Sequence, residues 1–224
     1  MKKLWIYAFV AGIFTLQSCE TQKKITNVHP TFEQKAKHKE IKTPDDALAE
    51  LKAGNKRFLN DEHTKLDYKN QIAATKDDQH PHSLILSCLD SRVPPEIIFD
   101  QGIGEVFVAR VAGNIETNEI LGSMEFATKV KGTKLIVVMG HTKCGAVSGA
   151  IDDAKLGNLT GLVEQIKPVV AKDKDLDTTA KHNVELTAKH ILERSPVIQQ
   201  LVNEGKVKIV SAFYDLETGK VTFF

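Results

Sequence analysis

The sequence contains a single tryptophan, Trp5, and three cysteines, Cys19, Cys88 and Cys144, in 224 residues. Three thiols leave room for one disulfide at most. No apolar run reaches the roughly 18–20 residues that a membrane-spanning helix needs; the longest, Leu4 to Leu16, has thirteen. Neither charge sign is in excess: 30 basic against 29 acidic residues give a formal charge of +1, which supplies no reason to expect nucleic acid as a partner. There is no internal repeat. Gly102 and Gly104 in "DQGIGEVF" do not complete a dinucleotide fingerprint, and read instead as a turn before a strand. What remains is a chain 42% hydrophobic and 26% charged, long enough for one domain with a substantial core and too short for two with a linker.

The first residues stand apart. Lys2 and Lys3 precede the apolar run, which ends in Leu16-Gln17-Ser18-Cys19. A basic start and a short apolar core describe an export signal, and the ending resembles a bacterial lipoprotein signal in which Cys19 becomes the acylated first residue. Gln17 stands where a small residue is usual. The alternative is an anchor that stays attached. Cleavage of residues 1–18 removes two lysines and no acid, leaving 28 basic against 29 acidic residues, and it removes the only tryptophan. The expectation is a protein on the periplasmic side, held to the membrane through a lipid on Cys19. Cys88 and Cys144 then remain, and an oxidising compartment permits a disulfide between them.

Residues 19–42 are polar and lysine-rich, and read as a tether. The domain is expected over 43–224. Thr43-Pro44-Asp45-Asp46 starts a helix: threonine can cap, proline fits the first turn, and the acids face the positive dipole end. Ala47, Leu48, Leu51, Phe58 and Leu59 give it an apolar face. Beyond it, "LILS", "EVFVAR", "KLIVVMG" and "KVKIVSAFYD" read as strands, separated by helical stretches "EILGSMEFATKV", "CGAVSGAIDDAK" and "TTAKHNVELTAKHILE". Continuous apolar strands alternating with helices predict an α/β domain with a mainly parallel sheet flanked by helices. The charge run "AKDKDLDTTAK" reads as a solvated loop leading into the last of these helices.

Two strand ends carry chemistry. In "SLILSCLDSRVPPE", Cys88, Asp90 and Arg92 fall on alternate positions, which an extended segment would point the same way. In "KLIVVMGHTKCGAVSGA", His141 follows a strand and Cys144 opens a helix, whose dipole would favour a thiolate. Functional groups of open α/β sheets gather at the carboxyl ends of strands, so Cys88, His141 and Cys144 can converge there. Two thiolates and an imidazole suit zinc, and three protein ligands leave the fourth tetrahedral position open, the catalytic pattern. For the thiols alone, a redox pair or two inert buried cysteines remains an equal reading. His80 and His82, just before the first core strand, read as surface residues or a proton route.

"CLDSRV" followed some fifty residues later by "GHTKCG" resembles the β-class carbonic anhydrases, and the resemblance extends through "PPEIIFDQGIGEVFVARVAGN" and "GSMEFA". It implies the family's α/β fold, one Zn2+ per chain on Cys88, His141 and Cys144, and a catalytic dyad of Asp90 and Arg92. Gln79, Phe107 and Gly145 fall where the family lines its substrate pocket. Ala112 and Phe126 take two further pocket positions, where relatives often have Val and Tyr. The implied reaction is the reversible hydration of CO2 to bicarbonate and a proton. The implied assembly is a homodimer or a higher oligomer, with pocket residues shared across the interface.

Physically, zinc lowers the pKa of bound water, and two thiolates temper that effect by cancelling the metal's formal charge. Arg92 would hold Asp90 ionised and off the metal by a bidentate pair, so that the carboxylate can orient the attacking hydroxide. A CS2 or COS hydrolase of the same fold, or a zinc-binding lipoprotein without activity, is the alternative. One branch of the family has an inhibitory bicarbonate pocket built on a tryptophan three residues before the first cysteine, with an arginine and a tyrosine. Here Ile85 takes the tryptophan's place, while Arg110 and Tyr214 resemble the other two members and read equally as ordinary framework of the family. The expectation is an open site without cooperative inhibition by bicarbonate.

Overall fold

The computed structural model describes residues 41–170 and 175–224. Residues 1–18, expected to be a signal segment, Cys19 and the expected tether as far as residue 40 lie outside them, as does the beginning of the 171–181 charge run. Five strands form one sheet: β1 (Ser83–Ser87), β2 (Val106–Arg110), β3 (Leu135–His141), β4 (Lys208–Tyr214) and β5 (Val221–Phe223). Their spatial order is β2-β1-β3-β4-β5. Every neighbouring pair is parallel except β4 and β5. The mainly parallel sheet expected from the sequence is present.

The helices are α1 (Pro44–Leu59), α2 (Tyr68–Thr75), α3 (Pro95–Ile98), α4 (Asn118–Glu125, continued by a π turn over Phe126–Val130), α5 (Gly145–Ile151), α6 (Gly157–Ile166), α7 (Leu176–Arg194) and α8 (Pro196–Asn203). Among them, none is long and apolar enough to cross a membrane. α1 starts as its sequence dictates. The Thr43 hydroxyl accepts from Asp46 N at 3.1 Å while Asp46 Oδ2 accepts from Thr43 N at 3.1 Å, a reciprocal capping box. Ala47 and Leu51 are buried, but Leu59, the last residue of the helix, is 43% exposed.

Both central strands, β1 and β3, are buried along their whole length. That is why they read as continuous apolar runs rather than alternating ones. The two-residue period still sorts their side chains. Ile85, Val137 and Met139 pack with α1 residues Ala47 and Leu51 on one face, and Leu84, Leu86 and Val138 pack with Ile191 and Ile198 on the other. Each such side chain contributes about 1.5–3 kcal/mol of apolar burial. A third cluster, with Ile115, Val147, Val163 and Ile166, forms around Cys88 and Cys144 at the carboxyl ends of β1 and β3. The core therefore closes around the site.

Candidate functional site

β1 and β3 lie in parallel register, Ser87 beside Met139, so their carboxyl ends open at one place. Cys88 is the first residue after β1, and His141 is the last of β3. A tight turn then brings Cys144 to the start of α5. Lys143 in that turn has φ +56°, and its N–H donates to Asp177 Oδ1 at 3.0 Å. Thr142 N donates to Tyr214 O at 3.0 Å, and the Thr142 hydroxyl accepts from Leu216 N at 3.0 Å. The loop is thus pinned to α7 and to the chain leaving β4.

One sulfur from each cysteine and a ring nitrogen of His141 lie within 4.8 Å of one another, all in buried residues. Both cysteines are free thiols, so the disulfide permitted by the sequence is not formed. His141 Nδ1 lies 2.9 Å from Thr142 O and must donate its proton there, which leaves Nε2 as a lone pair. That Nε2 is buried with no hydrogen-bond partner. An unmet buried polar atom costs about 1–3 kcal/mol, and a cation between it and the two sulfurs would remove the cost. The donor set, two sulfurs and one imidazole, fits zinc with one position left open.

The thiols respond strongly to each other. Cys88 is pushed down to about 4, chiefly because the Cys144 thiol hydrogen-bonds to it, with His141 and the Asp90 and Gly113 backbone amides adding to the effect against burial. Cys144 moves upward for the complementary reason: it donates to Cys88, is buried and faces that sulfur's charge. The pair divides one proton, the position a metal ion would take over.

The Cys-x-Asp-x-Arg run is not extended, contrary to the strand-period expectation. β1 stops at Ser87, and Asp90 to Val93 form a turn closed by Val93 N donating to Asp90 O at 3.0 Å. The turn folds Arg92 back on Asp90: Nε to Oδ1 at 2.9 Å, Nη2 to Oδ2 at 2.7 Å, and the Arg92 backbone N–H to Oδ1 at 2.9 Å. This fork holds the Asp90 carboxyl well below the usual carboxylate range. Asp90 Oδ2 lies 4.0 Å from His141 Nε2. Cys88, Asp90 and Arg92 therefore share one loop but not one direction. Cys88 is buried, whereas the Arg92 side chain is half-exposed.

Arg110 does structural work that spacing did not reveal. Its Nε donates to Cys88 O at 3.0 Å and its Nη2 to Asp90 O at 2.6 Å, fixing the backbone on both sides of Leu89. Its guanidinium is thereby engaged, while Ile85 and Tyr214 are buried in the core. Ala112 and Gly145 flank the site, in the turn after β2 and at the start of α5. Phe107 and Phe126 are elsewhere: their rings meet edge-to-face at 6.4 Å and line a cavity of about 590 Å³ with Leu84, Ala109 and Ile120. None of Cys88, His141 and Cys144 lines that cavity. Gln79 is exposed in the loop before β1. His80 is exposed beside Asp78, whereas His82 is bonded to the Ser83 hydroxyl and Gln101 Oε1 at 2.8 and 2.9 Å.

A family model described as carbonic anhydrase matches residues 83–221. The chain is 36% identical over 191 residues to carbonic anhydrase 2 of Mycobacterium tuberculosis, covering 79% of this chain and 91% of that protein. It is similar in structure to a β-carbonic anhydrase of Coccomyxa in complex with acetazolamide, with a TM-score of 0.62 and 25% identity over 69% of this chain and 76% of that one. It is also similar to tetrameric β-carbonic anhydrases of Sordaria macrospora, with a TM-score of 0.60 and 26% identity over 77% of this chain and 90% of that one.

Proposed function

The chain belongs to the β-class carbonic anhydrases, enzymes of the reversible, zinc-dependent hydration of CO2, and we propose how its residues divide that work. Cys88, His141 and Cys144 would hold the one zinc. Bound there, zinc supplies the Lewis acidity that makes water a nucleophile near neutral pH. Asp90 faces the same point, but Arg92 occupies both of its oxygens and keeps it from becoming a fourth ligand. Held ionised, Asp90 accepts a hydrogen bond from the attacking hydroxyl and sets the direction from which CO2 is met. The observation that carries this is the Asp90 carboxylate forked by Arg92 and 4.0 Å from the unpartnered His141 Nε2.

Stopped-flow CO2 hydration, with zinc content measured on the same sample, tests it. The wild type should hold one zinc per chain and turn over CO2, and Cys144→Ser should lose both. Asp90→Asn should keep zinc yet lose about 10²–10⁴ in kcat, the usual worth of a positioned proton-handling group. Unchanged turnover in Asp90→Asn would mean that another group orients the nucleophile. CS2 and COS offered to the same sample separate those substrates from CO2.

We also propose that the protein is exported and lipid-anchored on the periplasmic side. Lys2 and Lys3, the Leu4–Leu16 run and Cys19 in sequence support this reading. The mature protein should begin at Cys19 and partition with membranes, and Cys19→Ala should release it or block processing. Full-length protein in the cytosol would refute export. Finally, the chain should assemble at least as a dimer; the Sordaria relatives are tetramers.

A further inference from the structure

The sulfur of Cys88 accepts a hydrogen bond from the N–H of Gly113, at 3.4 Å. Gly113 has φ +71°, and a Cβ there would lie 2.6 Å from Ile166 Cδ1 and 3.2 Å from Ala146 Cβ. The left-handed φ and these neighbours favour glycine here, but glycine holds its own φ and ψ weakly, so the two peptides that meet at its Cα can swivel. A second contact must fix them. Gly113 O accepts from Asn183 Nδ2 at 2.7 Å. Asn183 lies on α7, 70 residues away in the chain, and is 1% exposed. The neighbouring α7 residues Ala180 and Val184 are also buried, so the carboxamide has little freedom of its own.

We propose that Asn183 is a positioning residue for the metal centre: by holding the Gly113 carbonyl it fixes that glycine's φ and ψ, and so keeps the N–H on the other side of the Cα directed at the Cys88 sulfur. The inference rests on the zinc reading above. An N–H directed at a metal-bound thiolate orients the sulfur and moderates the charge it gives the metal, and outer-shell partners of this kind are worth about 10- to 100-fold in metal affinity or activity. Without the Asn183 amide, the Gly113 carbonyl is left unmet in the interior and the glycine can turn its N–H away.

The test compares Asn183→Leu, which keeps the branched shape and removes the donor, with Thr187→Val, an equally buried change one turn along α7. Three quantities are read: the rate at which a chelator strips zinc, the thiolate-to-metal absorption of the cobalt-substituted protein, and kcat and KM for CO2. Asn183→Leu should release zinc about 10- to 100-fold faster, shift the cobalt band, and lower kcat with KM unchanged. Thr187→Val should match the wild type in all three. A folded Asn183→Leu with wild-type release rate and cobalt spectrum overturns the proposal, whereas a wild type that takes up no zinc defeats the metal reading beneath it. Should Asn183→Leu fail to fold, Asn183→Ser replaces it, and the wild type loaded with NMR-active cadmium gives an independent reading. There the Gly113 amide proton should show scalar coupling to the metal through the sulfur; absence of that coupling overturns the proposal.

Discussion

Asp100 has φ +49°, a left-handed conformation that Asp and Asn tolerate better than other side chains, and its carboxylate is buried. Burial raises its pKa, but hydrogen bonds from the Thr64 hydroxyl at 2.6 Å, from Thr64 N and from Arg57 outweigh that and hold it below the usual range. A folded pKa below the unfolded value of about 3.9 means that the stabilisation is present above that value and is lost as pH falls through the folded pKa. Asp100→Asn keeps the backbone conformation and removes the charge. Its melting temperature should fall below the wild type's at pH 7, and the gap should narrow as pH drops below about 4. A gap constant with pH would show that packing, not charge, is what Asp100 contributes. At the same scale, the zinc triad and the Asp90–Arg92 pair were legible because strand ends bring short motifs together. Arg110 and Asn183 were not, because each acts on backbone groups 20 to 70 residues away and leaves no local spacing to read. The direction of Arg92 was misjudged for a related reason: where β1 stops is decided by the turn after it, and a period-two reading does not see the turn.

Among the elements, α1 is locked to the end of α3 by a backbone contact rather than by side chains alone. A Cβ on Gly54 would sit 1.8 Å from Phe99 O and 2.7 Å from Phe99 C, atoms that cannot rotate aside. The next residue, Asn55, donates to Ile98 O and Gly219 O and accepts from Val221 N, tying α1 to α3 and β5. Alanine is better than glycine in a helix by about 1 kcal/mol, yet overpacking costs typically 1–3 kcal/mol, and contact with rigid backbone puts this site at the upper end. Gly54→Ala should therefore destabilise in urea titration followed by circular dichroism, while an exposed control such as Lys56→Ala should not. Equal or greater stability would show that α1 is not docked this closely. The long elements were legible: α1 from its capping residues and apolar spacing, and β1 and β3 from unbroken apolar runs. α3, with four residues, and β5, with three, were not, since elements so short carry little pattern and exist through their neighbours. α8 was missed although Pro196 and the Ser195 cap mark its start, because it follows α7 with only Ser195 between them.

At the largest scale, the decisive feature is the edge of β2 that no described strand pairs with. Among the described residues β2 is hydrogen-bonded only to β1, and an unpaired apolar edge is a liability that proteins ordinarily cover. Beside it, Phe126 is 44% exposed and Val130 67%, and Phe107 lines the adjoining cavity. The family resemblance assigns Phe107 and Phe126 to the substrate pocket, but in this chain they line a cavity without the zinc triad. Both observations meet if a second copy covers this edge and each chain's phenylalanines complete the other's site. Light scattering should then find a dimer or a multiple of one. Phe126→Ala should keep its zinc and lose much of its turnover. Complementation decides between sharing and a local effect. A Phe126→Ala chain retains its zinc triad, and a Cys144→Ser chain retains Phe126, so a hybrid holds one intact site only if the two parts come from different chains. Co-expressed, two nearly inactive variants should regain CO2 hydration in the hybrid fraction isolated by two affinity tags. Hybrids that form and stay inactive would place Phe126 with its own chain's metal, and the dimer would then cover the edge without building the pocket.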